Sequence, residues 1–288
     1  MVIYNTNKWL DIWKNDKYEQ IRKKILDSFS DLVFIDEGHK YFVGDRELTS
    51  VSVVTHHYKE EFDSILESKK TSDRNWDNPN SKYYRMTPEE ILEQWKKKSE
   101  DACANGTAVH EFGESLFYYM TGQYDKILPD FRDRLTPDGG FESRSPKEDA
   151  ALKFYKDIPI CMIPILAETK VYDKDLGYAG TFDILFYYDS DLDVKHTEKS
   201  GLLIMDWKTN EDLFKNFKGQ KLLYPFGGLD DMPLSLYKLQ LSLYQICLEN
   251  IGFHISGRRI LWLKPEAVYD KIKLEEYSEI LRYDLSKR

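Results

Sequence analysis

Apolar residues along this chain change their period from segment to segment, and the changes predict its elements. Trp9, Ile12, Trp13, Ile21 and Ile25 recur at helical spacing, so residues 1–30 read as helix. Apolar residues 32–35 and 41–43 flank the turn sequence Asp36-Glu37-Gly38-His39, which predicts a hairpin. The β-branched stretch 50–55 fits either a third strand or the lead into a helix. Residues 73–81 are polar and read as a loop. Thr87-Pro88-Glu89-Glu90 combines a cap, a Pro at the first helical position and a Glu three residues after the cap. A helix is expected from there through Trp95 towards Cys103, broken at Gly106-Thr107, with a second helix carrying His110, Glu111 and Glu114. Residues 129–146 look loop-rich. From Pro146 a helix with Leu152, Phe154 and Tyr155 leads into the apolar run 158–167.

The pattern then turns to strands. Residues 167–172, 180–188 and 202–208 are three candidates, the last two forming a hairpin across the polar loop 189–201. A helix over 234–250 and a strand over 258–263 follow. These elements predict an α/β fold, a central mixed sheet flanked by helices, with an α+β extension at the N-terminus. Residues 1–100 are expected to be an accessory region packed on a core of residues 101–288.

Composition narrows the class. Hydrophobic residues are 41% and charged residues 32% of the 288, as in ordinary folded proteins, and 20 tyrosines suit a packed core. The longest apolar run, 158–167, contains Pro159 and Pro164 and is too short to cross a bilayer, so no membrane partner is expected. Asp11 and Asp16 near the start fit neither a secretory signal nor a transit peptide. Cys103, Cys161 and Cys247 are dispersed and odd in number. They read as buried free thiols, not as a disulfide or zinc framework, and imply a reducing, cytoplasmic compartment. A net charge of -9 argues against binding nucleic acid by bulk attraction alone. It leaves room for a carboxylate-built metal site, whose cations offset local charge. Lys96-Lys97-Lys98 and Lys215, Lys218 and Lys221 are basic clusters that fit solvated faces or a DNA contact.

The chemistry gathers around Leu202-Leu203-Ile204-Met205-Asp206-Trp207-Lys208. This is a strand apolar enough to be buried on both faces, with Asp206 and Lys208 on one side of it. Alone, the pair reads equally as a structural ion pair. A second acid, Asp183, follows Gly177-Tyr178-Ala179-Gly180-Thr181-Phe182 at the start of the preceding strand. Two acids brought together on adjacent strands repel unless a cation lies between them, and oxygen ligands suit Mg²⁺ or Mn²⁺. The backbone carbonyl of Trp207 would offer another oxygen. His110 and Glu114 share a helix face, as do Gln240 and Tyr244. Each of these pairs alone fits ordinary packing. Glu168 ends the apolar run and fits either a site residue on the neighbouring strand or an exposed strand-edge acid.

Taken in order, Gly106 with His110, Gly180 with Asp183, Asp206 with Lys208, and Gln240 with Tyr244 resemble the RecB-type branch of the PD-(D/E)XK nucleases. The stretches 177–183 and 206–209 are similar to the mitochondrial genome-maintenance exonuclease group, and the section 41–52 to its phage relatives. The resemblance covers about residues 100–265. It implies a restriction-endonuclease-like core and a divalent-metal-dependent DNA exonuclease acting in phage or bacterial replication, recombination or repair. Alternatives are a structure-specific endonuclease or a non-catalytic recombination accessory protein. It implies His110, Asp183, Asp206 and the Trp207 carbonyl as ligands of Mg²⁺, with Mn²⁺ able to substitute. Asp183, Asp206, Lys208 and Glu168 would be catalytic, and Gln240 and Tyr244 would position Lys208 or the DNA. Some relatives carry a four-cysteine iron–sulfur cluster; three dispersed cysteines predict none here. The expected partner is DNA with a single-stranded end. Tyr83, Tyr84 and Trp95 are candidates for stacking on bases, with core packing the alternative for Trp95.

Overall fold

The computed structural model describes residues 2–4, 10–193, 195 and 199–288. It shows an α/β fold built on an open, mixed, eight-stranded sheet flanked by helices. Compact units divide the chain at 59/60 and 108/109, where the sequence suggested 100/101. Residues 1–59 and 109–288 form one unit and residues 60–108 the other.

In the first unit, β1 (Val2–Tyr4) pairs with β5 (Gly140–Glu142) in a separate two-stranded sheet. The N-terminal segment is therefore not helical throughout; α1 (Leu10–Trp13) and α2 (Asp16–Ser28) are its helices, and Trp9 lies outside the described residues. The Asn15 side chain caps α2 by accepting from the Lys17 amide, and Tyr18, Arg22 and Ile25 form its buried stripe. β2 (Leu32–Ile35) and β3 (Lys40–Val43) make the expected hairpin, and β4 (Arg46–Ser50) extends it. The β-branched stretch that follows is the helix α3 (Val51–His56), because the Ser50 hydroxyl accepts from the Val53 amide and caps it.

α6 (Pro146–Asp157) ends before the apolar run; the run's first four residues turn, and 162–167 become the first half of β6 (Met162–Asp173). β6 pairs antiparallel with β7 (Tyr178–Tyr188) along its whole length. The other edge of β7 is shared. β8 (Gly201–Lys208) runs antiparallel to residues 184–188, whereas β4 runs parallel to residues 178 and 179. β7 thus has one edge left open between these partners, at residues 180–183. β9 (Ile255–Leu263) lies parallel to β8, and β10 (Tyr269–Lys273) closes that side of the sheet. α7 (Pro233–Asn250) and α8 (Ser278–Leu285) complete the unit.

Alternation along β8 puts helices on both faces. The Trp207 ring meets Phe154 and Tyr155 of α6 at centroid distances of 5.4 and 5.9 Å. The neighbouring Lys208 points the other way, its Nζ 4.4 Å from the centroid of Tyr237 on α7. Seven of the eight β8 residues are buried, Asp206 among them. Residues 210–232, between β8 and α7, contain no helix or strand and are anchored by buried Leu213, Leu222 and Phe226. Lys221, from one of the basic clusters, pairs with Asp230 at 2.6 Å.

The second unit holds α4 (Ser64–Asn75) and the first part of α5 (Pro88–Met120). The capping box forms: Thr87 Oγ1 accepts from the Glu90 amide, and Glu90 accepts from the Thr87 amide. The break expected at Gly106-Thr107 is absent, and α5 runs on through both residues. One internal Gly costs about 1 kcal/mol, too little to stop a helix with a strong start and a buried end. Trp95 donates to the Tyr83 hydroxyl at 2.8 Å, so Trp95 and Tyr83 pack together, while Tyr84 is exposed. Cys161 and Cys247 are buried, but Cys103 is exposed on α5, contrary to expectation. Among the described residues, no helix is long and apolar enough to cross a membrane.

Candidate metal centre

The register of the sheet lines up three acids. Ala167 pairs with Ile184 and Thr169 with Phe182, which leaves Glu168 across from Asp183. On the other edge Ile184 pairs with Met205, so the next step sets Asp183 across from Asp206. β8 separates from β7 at this step, and the Asp183 carboxylate bridges the opening by accepting from the Trp207 amide at 2.7 Å. A buried strand N–H without a ladder partner is thereby satisfied.

Glu168 sits in β6 at φ 44°, in the left-handed region that a Glu rarely adopts. Regular pairing on both sides of it and a Thr169 hydroxyl bond to the Ala167 carbonyl hold the kink. Strain of this kind persists only where surrounding structure enforces it. The carboxylate ends up beside Asp183 and His110. Ligand atoms of His110, Glu168 and Asp183 all lie within 4.8 Å of one another.

His110 comes from α5. The helix approaches β8 closely because residue 113 is Gly: a Cβ there would stand 2.9 Å from Nε1 of Trp207. One turn earlier, His110 Nδ1 lies 3.4 Å from Asp183 Oδ2. Gly180 has the matching role beneath α7, where a Cβ would meet Tyr244 Cε1 at 2.9 Å and Val51 Cγ2 at 3.0 Å. Of the sequence pattern's glycines, Gly180 is thus a packing requirement, while Gly106 lies within α5; the close approach of α5 to Trp207 depends on Gly113, which the pattern did not include.

Charge in this region is unbalanced. Burial, then the charge of Asp183, pushes Glu168 up to about 9. Burial and Asp183 likewise push Asp206 up to about 6, against the opposing pull of Lys208. Burial would raise Asp183 as well, but His110, Lys208 and the Trp207 amide hold it below the usual carboxylate range. Burial would lower His110, and Asp183 more than offsets this, so its imidazole is raised. Lys208 is also raised, Asp206 and Asp183 outweighing its burial. Its Nζ contacts Asp206 Oδ2. Oδ1 of Asp206, fully buried, takes no hydrogen bond from the described residues. Glu114, one turn beyond His110, adds a further half-buried acid, which accepts from Tyr118 Oη at 3.1 Å.

Each residue singled out by sequence can now be placed. His110, Asp183 and Glu168 converge, so Glu168 is no exposed edge acid. Asp206 and Lys208 form an ion pair beside them. Trp207 contributes its amide to Asp183, and its side chain is core. Gln240 donates to the Tyr244 hydroxyl at 3.3 Å, and Tyr244 is buried against Gly180 and Phe182. The aromatic ring that faces Lys208 is Tyr237, held through its hydroxyl by Asn210 Oδ1 at 3.0 Å. Sequence reading missed both. Tyr237 precedes Gln240 by three and Tyr244 by seven, the spacing of one helix face, so its signal was present.

The residues fit a hard divalent cation. One imidazole and two carboxylates converge with oxygen in the majority, a carboxyl raised to about 9 would ionise near neutral pH with a cation's help, and a buried acid oxygen beside them takes no hydrogen bond from the described residues. The surplus of acid over base falls at one point, as a metal site requires. Compared by sequence, the chain matches no protein-family model and no curated protein.

Proposed function

We propose that this chain is a divalent-metal-dependent nuclease hydrolysing DNA phosphodiester bonds from a strand end. The observation that carries this reading is the convergence of His110, Glu168 and Asp183 next to the Asp206–Lys208 pair. His110, Glu168 and Asp183 would hold the ion, Mg²⁺ or Mn²⁺, beside Asp206, whose Oδ1 takes no hydrogen bond from the described residues. A bound divalent cation would supply Lewis-acid stabilisation of charge developing on a phosphoryl oxygen.

The chain's own residues provide the rest. Lys208 is held fully charged, and its ammonium is fixed between the Asp206 carboxylate and the Tyr237 ring. From there it would orient an attacking water or donate to a phosphoryl oxygen as negative charge grows. Asp206 positions Lys208 and keeps it from swinging to solvent. Burial and the charge of Asp183 keep Glu168 protonated near neutral pH, and a bound cation would favour release of that proton. The gap in pairing along β7 at residues 180–183 leaves Asp183 free of a strand partner on that side, so its carboxylate can serve the site.

The test is an end-labelled DNA assay with Mg²⁺ and with Mn²⁺ on linear single-strand, linear duplex and circular substrates. Cleavage of linear but not circular DNA, lost in Asp183→Asn and Lys208→Ala variants whose circular dichroism matches wild type, is the expected result. Full activity in either variant would refute the mechanism. Cleavage of circles would make it an endonuclease, and binding without cleavage an accessory protein.

A further inference from the structure

A cleft of about 760 Å³ opens beside β6, between that strand and the α1–α2 segment, and Glu168 forms part of its wall. The metal-binding candidates and the cleft therefore share a residue. Five cationic side chains line it, Lys14, Arg22, Lys23, Lys126 and Lys170, against the three carboxyls Glu19, Asp27 and Glu168. On a chain of net charge -9, this is a local excess of positive charge.

Arg22 is the telling member. It is only 7% exposed. Its guanidinium lies 3.8 Å from the Trp13 ring centroid, stacked and oriented. Its Nη1 has no hydrogen-bond partner among the described residues, and neither does Nε1 of Trp13. Glu19, one turn earlier, acts on Arg22 only through its charge, and a buried arginine without a hydrogen-bonded anion is costly unless an anion binds it. A planar guanidinium fixed on an aromatic face is pre-set for the paired oxygens of a phosphate. Lys14 and Lys23 stand exposed on either side of it in sequence, and Lys170 lies two residues beyond Glu168 on β6.

We propose that this cleft is a phosphate-anchoring subsite for the nucleotide strand, holding a phosphate neighbouring the one that reaches Glu168, with Arg22 as the anchor. The inference rests on the nuclease reading for its substrate class. A volume of this size suits a molecule of a few hundred daltons, a nucleotide unit of a single strand and not a duplex.

The experiment measures binding without turnover. Fluorescence anisotropy of a labelled thymidine hexanucleotide is titrated with the full chain in EDTA, over a range of salt, for wild type, Arg22→Gln, Arg22→Lys and the surface double variant Lys14→Ala/Lys23→Ala. Arg22→Gln is expected to weaken binding at least tenfold and to lower the salt slope by about 0.7, the value for one single-strand phosphate contact. Arg22→Lys should recover the slope but only part of the affinity. The double variant, which alters only exposed side chains, should lower the slope by up to about 1.4 and tests the cleft even where removal of Arg22 harms folding. Inorganic phosphate at millimolar concentration should compete poorly; competition as strong as that of unlabelled hexanucleotide would mean that the site takes free phosphate and not a strand. Unchanged affinity and slope in the double variant and a folded Arg22→Gln overturn the subsite, even when wild type cleaves DNA. Arg22-dependent strand binding with no cleavage under any metal overturns the nuclease reading and leaves the subsite standing.

Discussion

Glu168 offers the sharpest test of the metal centre, because its proton must leave before a cation can bind. Burial and Asp183 push its carboxyl up to about 9. At pH 7.5 it is protonated, and ionising it costs about 2 kcal/mol, from some 1.5 units at 1.36 kcal/mol each. Metal binding should therefore release about one proton from Glu168. The apparent Kd for Mn²⁺ should tighten about tenfold per unit between pH 7.0 and 8.0. His110, also raised, adds to the release at the acid end of the range. The assay is isothermal titration calorimetry in buffers of different ionisation enthalpy, which counts protons directly. In Glu168→Gln the release should fall by about one, and the pH dependence should flatten to the part due to His110. Folding without metal gives an independent check with a definite sign. A carboxyl raised by folding binds its proton more tightly in the native state, so its contribution is present below the ordinary 4.5 and is lost as pH rises towards 9. The metal-free protein should lose thermal stability across that window, and Glu168→Gln should lose less. Equal proton release in wild type and Glu168→Gln, or a wild-type Kd constant from pH 7.0 to 8.0, would refute the reasoning.

Three further outcomes follow from packing. Gly113→Val places a methyl-bearing carbon against the Trp207 indole, should destabilise by about 1–3 kcal/mol in urea titration, and should weaken Mn²⁺ binding by shifting His110; Gly228→Ala, which meets nothing within 4 Å, is the control. Tyr237→Leu removes the ring facing Lys208 and should lower cleavage about 2- to 30-fold, the range of a cation–π contact, whereas Tyr237→Phe should stay near wild type. Tyr178→Phe strips the buried hydroxyl that donates to the Leu243 carbonyl at 2.9 Å, should cost about 1–3 kcal/mol of stability, and should leave metal affinity unchanged.

The sequence by itself determined the parts of this protein that depend on local pattern. The apolar content of β8 marked a strand buried on both faces. The Thr87–Glu90 box marked a helix start, and alternation placed Asp206 and Lys208 on one side of one strand. Those signals are short-range: period, cap and turn chemistry are written in neighbouring residues. Tertiary structure decided what depends on the register between distant segments. It set Glu168 across from Asp183 and kinked β6 to aim its carboxylate. It carried α5 straight through Gly106, and it took Pro164 of the apolar run 158–167 into strand β6. It also put Tyr237 beneath Lys208 and Arg22 in the wall of the cleft that reaches Glu168. A residue's neighbours in sequence do not specify which strand edge stays open or which helix lies over it. Those follow from how the whole sheet pairs and how closely a glycine lets each helix approach.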